Sequence, residues 1–260
     1  MSKSLPSNAG PHLIRVAEGA KWMRDCDGML PEPWAQEIND VLRFLDQQGQ
    51  LDRLLPRLRG NKRIFTAAIG EGRAGLFLEN LGFKIIEWEP SSIENKQGDL
   101  LICLNGSKAI FVEVKSPDWE SELSSEEQRG QRKSYGKYVH AEVRITNPLE
   151  IPLRIIHTNV LPKLSDDRSN LVVFVDDLFS SPADAHEVID GAIDEFFATN
   201  EAKRIGGILF LIAETIWGRP VRYISNFYPN PHALEGCRLP QSVLDLLARR
   251  SLRDKSETSS

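Results

Sequence analysis

The segment GDLLICLNGSKAIFVEVKSP, Gly98 to Pro117, constrains the fold more than any other. Two short apolar runs flank an Asn-Gly pair, the strongest local signal for an antiparallel hairpin. Whatever sheet the chain forms must therefore contain antiparallel strands. Upstream, EGRAGLFLENLGF reads as a helix closed by Gly82, and FKIIEWEP (Phe83–Pro90) as a strand. Downstream, a long charged region of helical character runs from about Ser124 to Leu164. NLVVFVDDL (Asn170–Leu178) lacks polar alternation until Asp176 and reads as a strand buried on both faces. The amphipathic run Ala183–Thr199, the strands IGGILFLIAE and VRYISNFY, and a short helix Pro240–Arg250 follow. Strands interleaved with helices predict an α/β fold, a central mixed β-sheet flanked by helices.

Residues 1–60 are expected to form an N-terminal helical extension. Trp34, Ile38, Val41, Leu42 and Leu45 recur at helical spacing, and Leu51–Leu58 reads as a second short helix despite Pro56. Residues 61–250 are expected to form the α/β domain, and 251–260 a polar, disordered tail. The net charge of -5 gives no whole-surface attraction to nucleic acid, so such a site must be a local basic patch. Cys26, Cys103 and Cys237 are too few and too scattered for a disulfide framework or a zinc site, and Cys103 reads as a small buried hydrophobe. The longest apolar run, Ile205–Ala213, is too short to span a bilayer, and the N-terminus has no apolar leader. A cytoplasmic setting with no membrane partner is the expectation. A homodimer or larger complex is compatible with the sequence.

The charges in the hairpin carry the chemistry. Glu113 and Lys115 are two apart on one strand and share a face; Val112 and Val114 take the other. The place of Asp99 depends on register. A two-residue loop pairs Leu104 with Ser107 and puts Asp99 opposite Val112. A three-residue loop, or an equivalent bulge, pairs Leu104 with Lys108 and puts Asp99 directly opposite Glu113. The second register is adopted here. It opposes two carboxylates about 5 Å apart at Cβ, which repel unless a cation lies between them. Hard oxygen ligands suit Mg²⁺ or Mn²⁺. Lys115, next on the same face, can hold an attacking water and offset phosphate charge. On the preceding helix, Glu71, Ala74, Leu78 and Leu81 form one stripe. Glu71 is then an acid on an inward apolar face and a candidate third carboxylate.

Gly98-Asp99, the triplet Glu113-Val114-Lys115 and the strand and helix order α-β-β-β-α-β resemble the PD-(D/E)XK nuclease superfamily, the restriction-endonuclease-like fold. EGRAGLFLENLGFKI resembles its first helix, with Glu71 as the helix acid. QRKSY, Gln131 to Tyr135, is similar to the Q-x-x-x-Y element of the RecB-like branch. The resemblance covers roughly residues 65–180. It implies a nuclease-like domain in which Glu71, Asp99, Glu113 and Lys115 are catalytic. Asp99, Glu113 and Glu71 would bind Mg²⁺ (or Mn²⁺), and the substrate would be nucleic acid, with DNA favoured over RNA. The segment carrying Arg129, Gln131, Arg132, Lys133, Tyr135 and Lys137 reads equally as a solvated helix face or as a phosphate-tracking patch with tyrosines to stack. The alternative function is a non-catalytic nucleic-acid-binding or protein-interaction module on the same fold.

Overall fold

The computed structural model describes residues 5–6, 9–20, 32–92, 96–116, 150–176, 186–214 and 220–251. The basic-segment residues Arg129, Gln131, Arg132, Lys133, Tyr135 and Lys137, and the tail from 252 onward, lie outside them. The described helices are α1 (Pro11–Ala17), α2 (Glu32–Gln47), α3 (Leu51–Leu58), α4 (Lys62–Asn80), α5 (Glu150–Ile155), α6 (His186–Phe197) and α7 (Gln241–Arg250). The strands are β1 (Phe83–Trp88), β2 (Leu100–Leu104), β3 (Ile110–Lys115), β4 (Ser169–Asp176), β5 (Gly207–Glu214) and β6 (Arg222–Pro229).

The strands form one six-stranded mixed sheet in sequence order. β1, β2 and β3 are antiparallel, β3, β4 and β5 parallel, and β6 antiparallel to β5. Strand alternation divides the interior into two cores. Val112, Val114, Leu171, Val173 and Leu209 face a layer built from α1–α4 and α7. Phe111, Val172, Phe174 and Ile208 face a layer containing the end of α5, the turns that follow it, and α6. The first core takes Leu13, Leu42, Leu54 and Ala74 from α1 to α4 alike, so the N-terminal helices share one apolar cluster with the strands. A buried ion pair fastens α2 to α4. Arg73 donates to both Glu37 oxygens, at 2.9 and 2.8 Å, and its guanidinium lies 5.5 Å from the Trp34 ring centre.

Two local details differ from expectation. α4 begins at Lys62, well before Glu71, because Asn61 caps it by accepting a hydrogen bond from Ile64 N at 3.0 Å. Cys103 is half-buried: alternation along β2 gives the core to Leu100, Ile102 and Leu104 and leaves Cys103 on the less covered face.

The hairpin register is the adopted one, reached by the bulge route. Asn105 and Gly106 both have positive φ, 48° and 74°, and Ser107 N donates to Leu104 O at 2.8 Å. That is a two-residue turn. Lys108 and Ala109 then fall outside the strand, and the ladder resumes as Ile102↔Ile110, Leu101↔Phe111 and Leu100↔Val112. The next step along this register opposes Asp99 to Glu113. Among the described residues no helix is long and apolar enough to cross a membrane.

Candidate functional site

The charged cluster sits at the C-terminal end of β3. Asp99 is fixed by its own backbone-directed bond: its Oδ2 accepts from Val114 N at 2.6 Å. Glu113 and Lys115 follow on the face of Phe111, as strand parity requires. Glu113 is fully buried. Around the Lys115 ammonium converge Glu113 Oε1 at 2.5 Å, Val114 O at 2.9 Å and Asp99 Oδ2 at 3.8 Å. A second ammonium, that of Lys163, lies 2.5 Å from the same Glu113 Oε1. Glu113 Oε2 is buried and finds no hydrogen-bond donor among the described residues.

Glu71 occupies a different setting from the expected one. It is buried on α4, in the helical layer packed on the opposite sheet face from Glu113. Its carboxylate is held by the Arg57 fork: Nη1 donates to Oε2 at 2.8 Å, and Nη2 to Oε1. Arg57 also lies 3.5 Å from Glu89, which Arg53 approaches to 3.3 Å. Glu89 has a φ of 51°, a left-handed conformation uncommon outside glycine. It follows directly on β1 and turns its carboxylate toward Arg53 and Arg57 of α3. Both oxygens of Glu71 accept from the one arginine.

Electrostatics still couple the two groups. Burial pushes Glu71 up to about 7, against the pull of the Arg57 hydrogen bond; the Asp99 charge pushes the same way as burial. Burial also raises Glu113, followed by repulsion from Asp99, with Lys115 and Lys163 opposing. Burial disfavours the Lys115 ammonium, but Asp99, Glu113 and Glu71 outweigh it and hold its pKa above the ordinary value. The hydrogen bond to Glu71 holds Arg57 more firmly protonated still. Asp99 acts on all four of these groups, so it is the electrostatic centre of the cluster.

Among the described residues no group of three or more His, Cys, Asp or Glu side chains is arranged to hold a metal ion. Asp99 and Glu113 nevertheless offer carboxylate oxygens of the kind a hard cation takes, and Glu113 Oε2 is buried with no hydrogen-bond donor among the described residues. The structure therefore brings Asp99, Glu113 and Lys115 together, with Glu71, paired to Arg57, near enough to act on Asp99 and Lys115 through its charge. Two cations escaped the sequence reading. Arg57 lies three residues from the buried Leu54, at the margin of the apolar stripe of α3, and that spacing was its one signal. Lys163 sits in NVLPKLSDD, where no periodicity marks it.

No protein family matches the chain, and no curated protein does. Among solved structures, SfsA of Pyrococcus furiosus, determined in complex with Ca²⁺, is similar at a TM-score of 0.26 and 19% identity. The match covers 62% of this chain and 59% of that one. A likeness so loose informs neither the fold nor the chemistry.

Proposed function

We propose that the chain is a metal-dependent nuclease of the PD-(D/E)XK type that hydrolyses phosphodiester bonds, with DNA favoured over RNA. The observation that carries this reading is the convergence of Asp99, Glu113 and Val114 O on the Lys115 ammonium at one strand end. Asp99 and Glu113 would hold Mg²⁺ or Mn²⁺, which supplies a Lewis acid and an acidified water at neutral pH. Lys115 then orients the attacking water and offsets charge that develops on the phosphoryl oxygens. Its raised pKa keeps it cationic for that role. Val114 N donates to the Asp99 carboxylate, so backbone would preorganise one ligand. Glu71, tied to Arg57, lies within electrostatic reach of Asp99, and burial pushes its pKa up to about 7.

A second reading draws on the same cluster. Lys115, Lys163 and Arg57 already neutralise Asp99, Glu113 and Glu71, an arrangement that suits a non-catalytic nucleic-acid-binding or protein-interaction module. Cleavage of mixed DNA and RNA substrates in Mg²⁺ or Mn²⁺ separates the two. Wild type is expected to cleave only with metal. Lys115→Ala should lose about 10²–10³-fold in rate with binding little changed, because its role lies in the transition state. Binding without cleavage under any metal selects the non-catalytic module. If Lys115→Ala loses binding and cleavage in equal proportion, Lys115 is only a phosphate contact.

A further inference from the structure

Lys163 reaches the site by an unusual route. α5 widens into a π-helical turn, Ile156–Val160, then tightens into a 3₁₀ turn, Leu161–Lys163. Such irregular turns have poorer hydrogen-bond geometry and recur at functional sites. This one is fastened by side chains from distant parts of the chain. Ser92 Oγ donates to Lys163 O, Lys96 Nζ to Pro162 O at 3.2 Å, and Arg204 Nη1 to Leu161 O at 3.3 Å. The backbone is thereby held, and the Lys163 side chain is the part that can move. Its side chain is 25% exposed, whereas the Glu113 side chain beneath it is 0% exposed.

Glu113 is oddly loaded. One oxygen accepts two ammonium groups, and the other, equally buried, accepts nothing from the described residues. Lys115 is sufficient to neutralise Glu113. The Lys163 ammonium is surplus there, and it is the one of the two that lies off β3, on a segment reaching solvent. We propose that Lys163 is the phosphate-binding cation of the site: it rests on Glu113 in the absence of nucleic acid and passes to a backbone phosphate when Glu113 takes a divalent cation. This rests on the nuclease reading above. It follows that metal and nucleic acid bind with positive coupling. Metal alone must displace ammonium from Glu113, whereas a phosphate gives Lys163 a new partner. By linkage each ligand then raises the affinity of the other.

The test uses the full chain. Mn²⁺ binding without nucleic acid is read by titration calorimetry, and binding of a labelled DNA duplex in saturating Ca²⁺, a hard cation with the same preference for oxygen, by fluorescence anisotropy over a range of salt. Lys163→Ala is expected to move the two affinities in opposite directions. Mn²⁺ should bind about tenfold more tightly and the duplex about tenfold more weakly, the size of one charge-assisted hydrogen bond. The log–log salt slope should become shallower by about 0.9, one phosphate contact. Lys163→Arg should keep duplex affinity and slope near wild type. If Lys163→Ala does not fold, Lys163→Gln, which keeps a donor to Glu113 and loses the charge, carries the same measurements. Unchanged duplex affinity with tighter Mn²⁺ reduces Lys163 to a counter-charge for Glu113 and overturns the assignment. So does a variant that weakens both ligands together. In either case metal-dependent cleavage by wild type leaves the nuclease reading standing. A wild type that binds neither Mn²⁺ nor any nucleic acid overturns both.

Discussion

Glu71 has both oxygens on Arg57 and a pKa raised from 4.5 to about 7 by burial. Between those values the native state binds a proton that the unfolded state releases. Stability therefore falls as pH rises from about 4.5 to 7, and the loss is complete above 7. At about 1.4 kcal/mol per unit the span is about 3 kcal/mol. Glu71→Gln removes the titration, although it also breaks the ion pair and costs a fixed amount. The unfolding free energy of wild type minus that of Glu71→Gln should therefore fall by about 2–3 kcal/mol between pH 5 and 8, read from urea titrations. A difference flat across that range would mean that Arg57 keeps Glu71 ionised throughout.

At the scale of elements, what the sequence made legible follows strand and helix period. The Asp99–Glu113 opposition could be reasoned because a strand has period two and a one-residue slip inverts every side chain. The bulge that sets it, at Lys108 and Ala109, has no residue signature of its own. Glu71 on an inward stripe was legible too, but a stripe does not say which sheet face its helix covers, nor that an arginine from α3 would claim it. Lys163 was invisible because a π-helical turn delivers it across the crossover from β3 to β4. The contact that seats α4 against β3 is also tertiary. A Cβ added at Gly70 would lie 2.5 Å from Ser116 Cβ, closer than packed carbons allow. Gly70→Ala should therefore push α4 away from the end of β3 and cost about 1–3 kcal/mol despite the better helix propensity of alanine. Chemical denaturation checks this. A variant more stable than wild type would show that α4 has room to spare at the site.

For the whole molecule, the question is whether residues 1–60 are an appendage. Their helices share the core that covers one sheet face, and Phe44 lies 6.2 Å from Trp88 between ring centres. Without them Arg73 loses Glu37 and the Trp34 ring, and the apolar surface that Leu13, Leu42 and Leu54 cover is exposed to water. A chain of residues 61–260 should show no cooperative urea transition and should bind a hydrophobic dye. A sharp transition with a proportionately smaller m-value would make the extension dispensable. The strictly sequential strand order has a kinetic corollary. The Asp99–Val114 bond closes 15 positions, whereas the Lys163–Glu113 contact closes 50, so the latter carries about 1 kcal/mol more loop entropy. As the chain leaves the ribosome, the hairpin emerges complete while the crossover is still being made. Asp99, Glu113 and Lys115 are then assembled first, and the nascent protein carries its charge cluster open to solvent until Lys163 arrives to close it.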